Sequence, residues 1–206
     1  MCNLYRMTKT TDEVSKWFDA ESTAHGTNIA AEIYPGYPGL VIADAKLRSM
    51  TWGFPLSRKG ANGQLLKPKP VNNARTDKLH GYFWRPSFEQ RRCLIPISAW
   101  AEAQGERGSM TRTWMSMPQT DMFACAGVWR SSEEWGNVYS MVMVGSSGDA
   151  AQIHSRMPVI LAPEHYDQWL GADVNAAMAL CQPWSGGLVI DPTTEPWSKQ
   201  SQANLL

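Results

Sequence analysis

Apolar residues in this chain fall in short runs broken by Gly, Pro, Asn and Asp, a pattern of many brief strands with few helices. TTDEVSKWF (10–18) is the clearest exception. Its threonines, early acids and apolar Val14, Trp17 and Phe18 predict a short amphipathic helix. IYPGYPGLVIA (33–43) predicts a Pro-Gly turn entering a strand, and LRSMTWGF (47–54) a second strand. SRKGANGQLLKPKP (57–70) reads as a basic loop, too long for a bare connection and so a candidate functional segment. ARTDKLHGYF (74–83) fits a helix capped at Thr76 and stopped near Pro86. RCLIPISAWAEA (92–103) reads as one strand. Further strands are expected at 113–117, 122–129 and 137–144, a strand then a helix over 157–170, and a helix over 174–181. The tail from about 182 to 206 reads as irregular. These elements predict an α+β fold in a single domain spanning 1–206, with mixed or antiparallel sheets forming a barrel-like core and short helices at its periphery.

Composition narrows the function classes. A hydrophobic content of 43% against 18% charged residues predicts an ordered globule. The start has no signal-peptide pattern, and no apolar run approaches the roughly 20 residues of a membrane helix, so the expectation is a cytoplasmic protein without membrane contact. Cys2, Cys93, Cys125 and Cys181 lie far apart with no CxxC, which gives no support to a metal site. Cys93, Cys125 and Cys181 are expected as small buried hydrophobes. The net charge is zero, yet residues 46–112 carry 13 basic side chains against four acidic ones. Such a middle either forms a basic face for a polyanion or scatters over a solvated surface. The ten tryptophans suit either a core or stacking on a flat ligand.

Three stretches carry candidate chemistry. On the strand 92–103 a period of two sets Leu94, Ser98, Trp100 and Glu102 on one side, and Ile95, Ile97, Ala99, Ala101 and Ala103 on the core side. Glu102 beside Trp100 reads either as an acid–base group or as an exposed carboxylate in a salt bridge. VNNAR (71–75) offers two amides and a guanidinium, read as anchors for a reacting group and a phosphate or as a capped turn. QIHSRMPVIL (152–161) sets His154 and Arg156 at a strand entrance, where His154 is either a proton shuttle or structural. His25, His80 and His165 read as structural or surface residues.

Taken in order, MC at the start, NAR after the basic stretch, RCLIP with Glu102 six residues beyond Pro96, and IHSRMPVIL resemble the SRAP family, the SOS response-associated peptidases that process abasic sites. The resemblance runs from Met1 to about Trp169. It implies that Met1 is removed, often by the protein's own peptidase action, and that Cys2 then forms a covalent link to abasic sites in single-stranded DNA. It assigns Cys2 as nucleophile, Asn73 as a positioning group, Glu102 and His154 as an acid–base pair, Arg75 to DNA phosphate and Trp52 to the DNA path. Lys67, Lys69, Arg58 and Arg156 are the further candidates for DNA contact. No cofactor or metal is expected, and the partner is abasic single-stranded DNA bound by a monomer in the nucleoid. The chain departs from the family in beginning MCNLYRM rather than MCGR, in AWAEA for an aromatic-rich run around the glutamate, and in VGSSGD for a threonine pair, where Ser146 or Ser147 would supply the hydroxyl.

The chemistry explains why a cysteine at position 2 matters. Once Met1 leaves, Cys2 holds an amine and a thiol with unperturbed pKa values of about 8 and about 8.5 on adjacent carbons. The amine condenses with the aldehyde of an opened abasic sugar, and the thiol closes on the imine to give a thiazolidine, an intramolecular step favoured by effective molarity. Two other readings use the same residues: a cysteine or N-terminal-nucleophile peptidase acting on other proteins, and a non-catalytic single-stranded-DNA-binding module.

Overall fold

A computed structural model of the chain describes residues 2–24, 27–171 and 173–197, so Met1, His25 and the end of the tail lie outside the described residues. Five strands close on themselves. Pro38–Ala43 pairs antiparallel with Lys46–Trp52 and touches Arg92–Ile97, which pairs with Phe123–Ser132, then Gly136–Gly145, which returns in parallel to Lys46–Trp52. The closing contacts are Val138 with Thr51 and Tyr139 with Trp52. The result is the expected α+β architecture with a barrel-like core and short helices around it. Among the described residues no helix is long and apolar enough to cross a membrane.

The parallel seam is interrupted in a way that builds the site. At Gly53 the chain leaves the barrel, donating its N–H to the Tyr139 carbonyl at 2.7 Å. It makes a hairpin of Phe54–Lys59 and Leu65–Val71, then returns to the same partner strand, where Asn73 aligns with Met141 and Arg75 with Met143. Gly53 sits at φ +118°, and a Cβ there would collide with Pro70 at the hairpin's base, so this exit needs glycine. The segment 57–70 is therefore an excursion between two parts of one seam. The sequence predicts a loop there because Pro68 and Pro70 disfavour strands, but a two-stranded ribbon is all edge and accepts them.

A second sheet runs Val189–Pro196, Thr111–Ser116, Ala99–Gln104, Tyr5–Arg6, Glu32–Ile33. The expected single strand 92–103 is two strands split at Ser98, the first in the barrel and the second in this sheet. The Ser98 N–H donates to the Arg6 carbonyl at 2.7 Å, so the N-terminal segment captures the chain where it crosses between sheets.

Two further expectations are corrected. Residues 74–83 are not a helix: Asn73–Arg75 is taken by the parallel seam, Thr76–Lys78 is one 3-10 turn, and the helix is Arg85–Gln90, with Pro86 in its first turn rather than stopping it. The tail is not irregular throughout, since Val189–Pro196 forms an edge strand on Thr111–Ser116 with a bulge between Thr111 and Thr113. Glu195 there shares Arg112 with Glu32. The first helix forms as read, Thr11–Trp17, with Thr10 and Glu13 making a reciprocal capping box. Cys93, Cys125 and Cys181 are buried, as expected.

Tyr5 and Tyr139 meet hydroxyl to hydroxyl in the core, and Gly39 leaves the space for them, because a Cβ there would collide with both oxygens. Gly39→Ala is expected to destabilise the fold by about 1–3 kcal/mol through overpacking. By contrast, Ala45 occupies the left-handed region at φ +56° in the tight turn between Ala43 and Lys46. Ala45→Gly should therefore stabilise by about 1 kcal/mol. Urea unfolding of both variants checks the opposite signs.

Candidate functional site

The N-terminal segment runs antiparallel to Ala99–Gln104, with Tyr5 opposite Trp100 and the Ala101 N–H donated to the Leu4 carbonyl at 3.0 Å. That register carries Cys2 toward Glu102. Cys2 is 0% exposed, and its thiol points to the Leu4 carbonyl at 3.6 Å. Its carbonyl oxygen accepts two hydrogen bonds of 2.8 Å, one from Asn72 Nδ2 and one from Asn73 Nδ2. Successive residues of a strand would point to opposite faces. Asn72 lies just before the strand Asn73–Arg75, so both amides reach one oxygen. Trp52 holds Asn72 from behind, donating its indole N–H to the Asn72 carbonyl at 3.0 Å. Asn72 joins Asn73 in this grip, and its adjacency to Asn73 in VNNAR is the sequence signal for it.

Glu102 is 3% exposed, which excludes the alternative of a solvated strand carboxylate. Burial raises its pKa above the usual carboxylate range, and the nearby charge of His154 partly offsets that shift. Burial also pushes the Cys2 thiol well up, and the charge of Glu102 adds to the rise. These charge effects, with the Asn73 bond to the Cys2 carbonyl, put Cys2, Asn73, Glu102 and His154 in one neighbourhood. His154 is half-buried after the helix Ala150–Ile153 and accepts the Arg156 N–H at Nδ1 over 3.0 Å. Gln104, two residues beyond Glu102, donates its side-chain amide to the Ile153 carbonyl at 2.6 Å. It thus ties the turn bearing His154 to the strand bearing Glu102. A strand's period of two, which sets Gln104 on the side of Glu102, is the sequence signal for that tie.

The expected DNA contacts are dispersed differently. Trp52 has no exposed surface, so no base can stack on it, and its work is to hold Asn72. Trp100 is equally buried. Arg75 forms a two-pronged pair with Asp77, at 2.8 and 2.6 Å, which a phosphate would have to displace. Arg58, Lys67 and Lys69 stand exposed on the hairpin. Arg156 is half-buried opposite Gly145. Of the two candidate hydroxyls, Ser147 donates to the Trp184 carbonyl at 3.1 Å, whereas the buried Ser146 Oγ finds no partner among the described residues. The basic middle of the chain is also smaller as a surface than as a count, because Arg92 and Arg112 are buried. Arg92 donates to the Trp169 and Phe88 carbonyls, and Arg112 pairs with Glu32 and Glu195.

A family model described as SOS response associated peptidase (SRAP) matches residues 1–195. No curated protein matches the chain. Among solved structures, a Bordetella bronchiseptica protein is similar at 23% identity and a TM-score of 0.76, covering 93% of this chain and 99% of that one. A Bacteroides thetaiotaomicron protein is similar at 15% identity and a TM-score of 0.77, covering 93% and 91%. A phage-related protein of Bordetella bronchiseptica is similar at 18% identity and a TM-score of 0.67, covering 93% and 94%. At these identities the structural likeness speaks for the fold.

The raised carboxyl gives a signed pH dependence. Above the ordinary glutamate value and below the folded one, the folded chain keeps a proton that the unfolded chain has lost. Stability from this group is therefore present at acid pH and falls as pH rises through that window. Glu102→Gln removes the fall, so the variant's melting temperature relative to the parent should climb as pH rises above the ordinary glutamate value. A flat or declining difference in thermal melts would contradict the assignment. Asn73→Ala removes one of the two bonds to the Cys2 carbonyl and should cost about 1 kcal/mol in urea unfolding.

Proposed function

Because the chain belongs to the SOS response associated peptidase (SRAP) family, we propose that it loses Met1 and then captures abasic sites in single-stranded DNA through Cys2. The observation that carries this reading is the Cys2 carbonyl, gripped by two side-chain amides next to a buried carboxyl and an imidazole. A structural cysteine needs no such grip. A residue whose adjoining peptide bond is cut, and whose freed amine must then be aimed, does.

In the full chain the Cys2 nitrogen belongs to a peptide bond and is no nucleophile. Hydrolysis of the Met1–Cys2 bond adds one water across it and leaves an α-amine on Cys2. That amine attacks the C1′ aldehyde of the opened deoxyribose and forms a carbinolamine. Glu102, whose carboxyl burial favours in its protonated form, gives its proton to the departing hydroxyl, which leaves as water, and a protonated imine remains. The Cys2 sulfur then bonds to the imine carbon. The thiol proton passes to the Glu102 carboxylate, the ring nitrogen becomes a secondary amine, and a five-membered thiazolidine results. His154 is suited to move the hydroxyl proton that opens the sugar. The Asn72 and Asn73 amides fix the Cys2 backbone so that amine and thiol arrive together, a saving in entropy of the kind that raises effective molarity.

The thiol's raised pKa fits the order of these steps. A neutral thiol leaves the amine to attack first, and the sulfur needs its proton taken only at ring closure. Hairpin residues Arg58, Lys59, Lys67 and Lys69 supply phosphate attraction that weakens with added salt.

Incubation with single-stranded DNA bearing one abasic site, followed by a denaturing gel, tests the reading. A covalent band is expected with the parent and none with Cys2→Ala; a band of equal yield in Cys2→Ala would overturn it. Glu102→Gln should slow band formation by about a hundredfold while leaving DNA affinity within about twofold. Intact mass of the same preparation should show a chain lacking Met1.

A further inference from the structure

The hairpin that interrupts the barrel seam leaves apolar side chains outside, with Leu65 77% exposed, and across from it Tyr82 is 94% exposed. Leu56 and Val71 form one wall of a groove of about 360 Å³, and Lys78, Tyr82 and Phe83 form the other. An aromatic ring so uncovered contributes nothing to the core. Its mounting, however, is firm. Phe83 and Trp84, the two residues that follow, pack on Phe54 at centroid distances of 6.0 and 5.0 Å, and on each other at 4.8 Å. Arg130 lies over both Phe54 and Phe83.

The charge around this groove selects its occupant. Residues 54–71 include Arg58, Lys59, Lys67 and Lys69 and no acid. In the hairpin register Leu56 faces Lys69, Arg58 faces Leu66, and Lys59 faces Leu65. Directly opposed residues share a face, so each exposed apolar side chain sits beside a cation. An apolar peptide would bury those cations without a counter-charge. A strand that alternates flat apolar rings with anionic groups matches the surface, and single-stranded nucleic acid is such a strand. The groove also adjoins the site. Val71 in its wall is followed directly by Asn72, whose amide holds the Cys2 carbonyl.

We propose that this groove is a base-stacking subsite for the strand flanking the abasic nucleotide, with Tyr82 as the stacking ring and Lys69 and Lys78 on the adjoining phosphates. The proposal rests on the DNA reading given above. It assigns to Tyr82 the stacking that the buried Trp52 and Trp100 cannot perform.

The test uses two labelled single strands of equal length, neither able to crosslink: oligothymidylate, and a strand of tetrahydrofuran spacers that has the sugar-phosphate chain without bases. Anisotropy titrations of the full chain read affinity for each. Tyr82→Ala is expected to weaken oligothymidylate binding by about five- to a hundredfold, the worth of one stacked base. Tyr82→Trp should retain parental affinity, and all three proteins should bind the spacer strand alike. Equal losses on both strands, or no loss on oligothymidylate, overturn the subsite, as does a parent that binds neither strand. The abasic-DNA gel run in parallel separates the two claims. A covalent band with Tyr82-independent affinity removes the subsite alone, whereas Tyr82-dependent affinity without a band keeps the subsite and removes the crosslinking reading.

Discussion

The two amide bonds to the Cys2 carbonyl are the contact on which the arrangement depends. They exist because the parallel seam of the barrel is broken at Gly53 and resumed at Asn73. Had the strand Lys46–Trp52 simply continued, that stretch would carry no asparagines to the chain's beginning. The detour through the hairpin returns Asn72 still outside the ladder and Asn73 just inside it, and both amides fall on one oxygen. Gly53 permits the exit, Trp52 steadies Asn72, and the Gly136–Gly145 strand supplies the common rail.

Around that contact, burial opposes ionisation. Burial raises both the Glu102 carboxyl and the Cys2 thiol, and the charge of Glu102 adds to the thiol's rise. The nearby imidazole partly relieves the carboxyl. Such a pocket favours the protonated form of both groups. The same burial weighs against stability, a cost that functional sites commonly carry.

Much of this was legible in the chain. The capping box of the first helix is local, and Thr10 with Glu13 announced it. Cys2, Asn73, Glu102 and His154 come together in the sequence through the order of motifs that resembles the SRAP family, not through local pattern. What was not legible depended on distant partners. The stretch 74–83 has a helix-like cap, but its first residues are claimed by a strand some seventy positions away, a competitor that local pattern does not contain. Pro192 and Pro196 suggest an irregular tail, yet an edge strand tolerates both. A count of tryptophans says how many rings exist and nothing about which are covered, and Trp52 shows the difference.

The separations spanned by the Cys2 contacts, 70 and 71 positions, bear on how the protein is made. Cys2 leaves the ribosome long before the asparagines that grip it, and longer still before the strand holding Glu102 and the turn holding His154. The bonds to the Cys2 carbonyl therefore close only once some seventy further residues are in place, a long-range contact of the kind that sets folding rates.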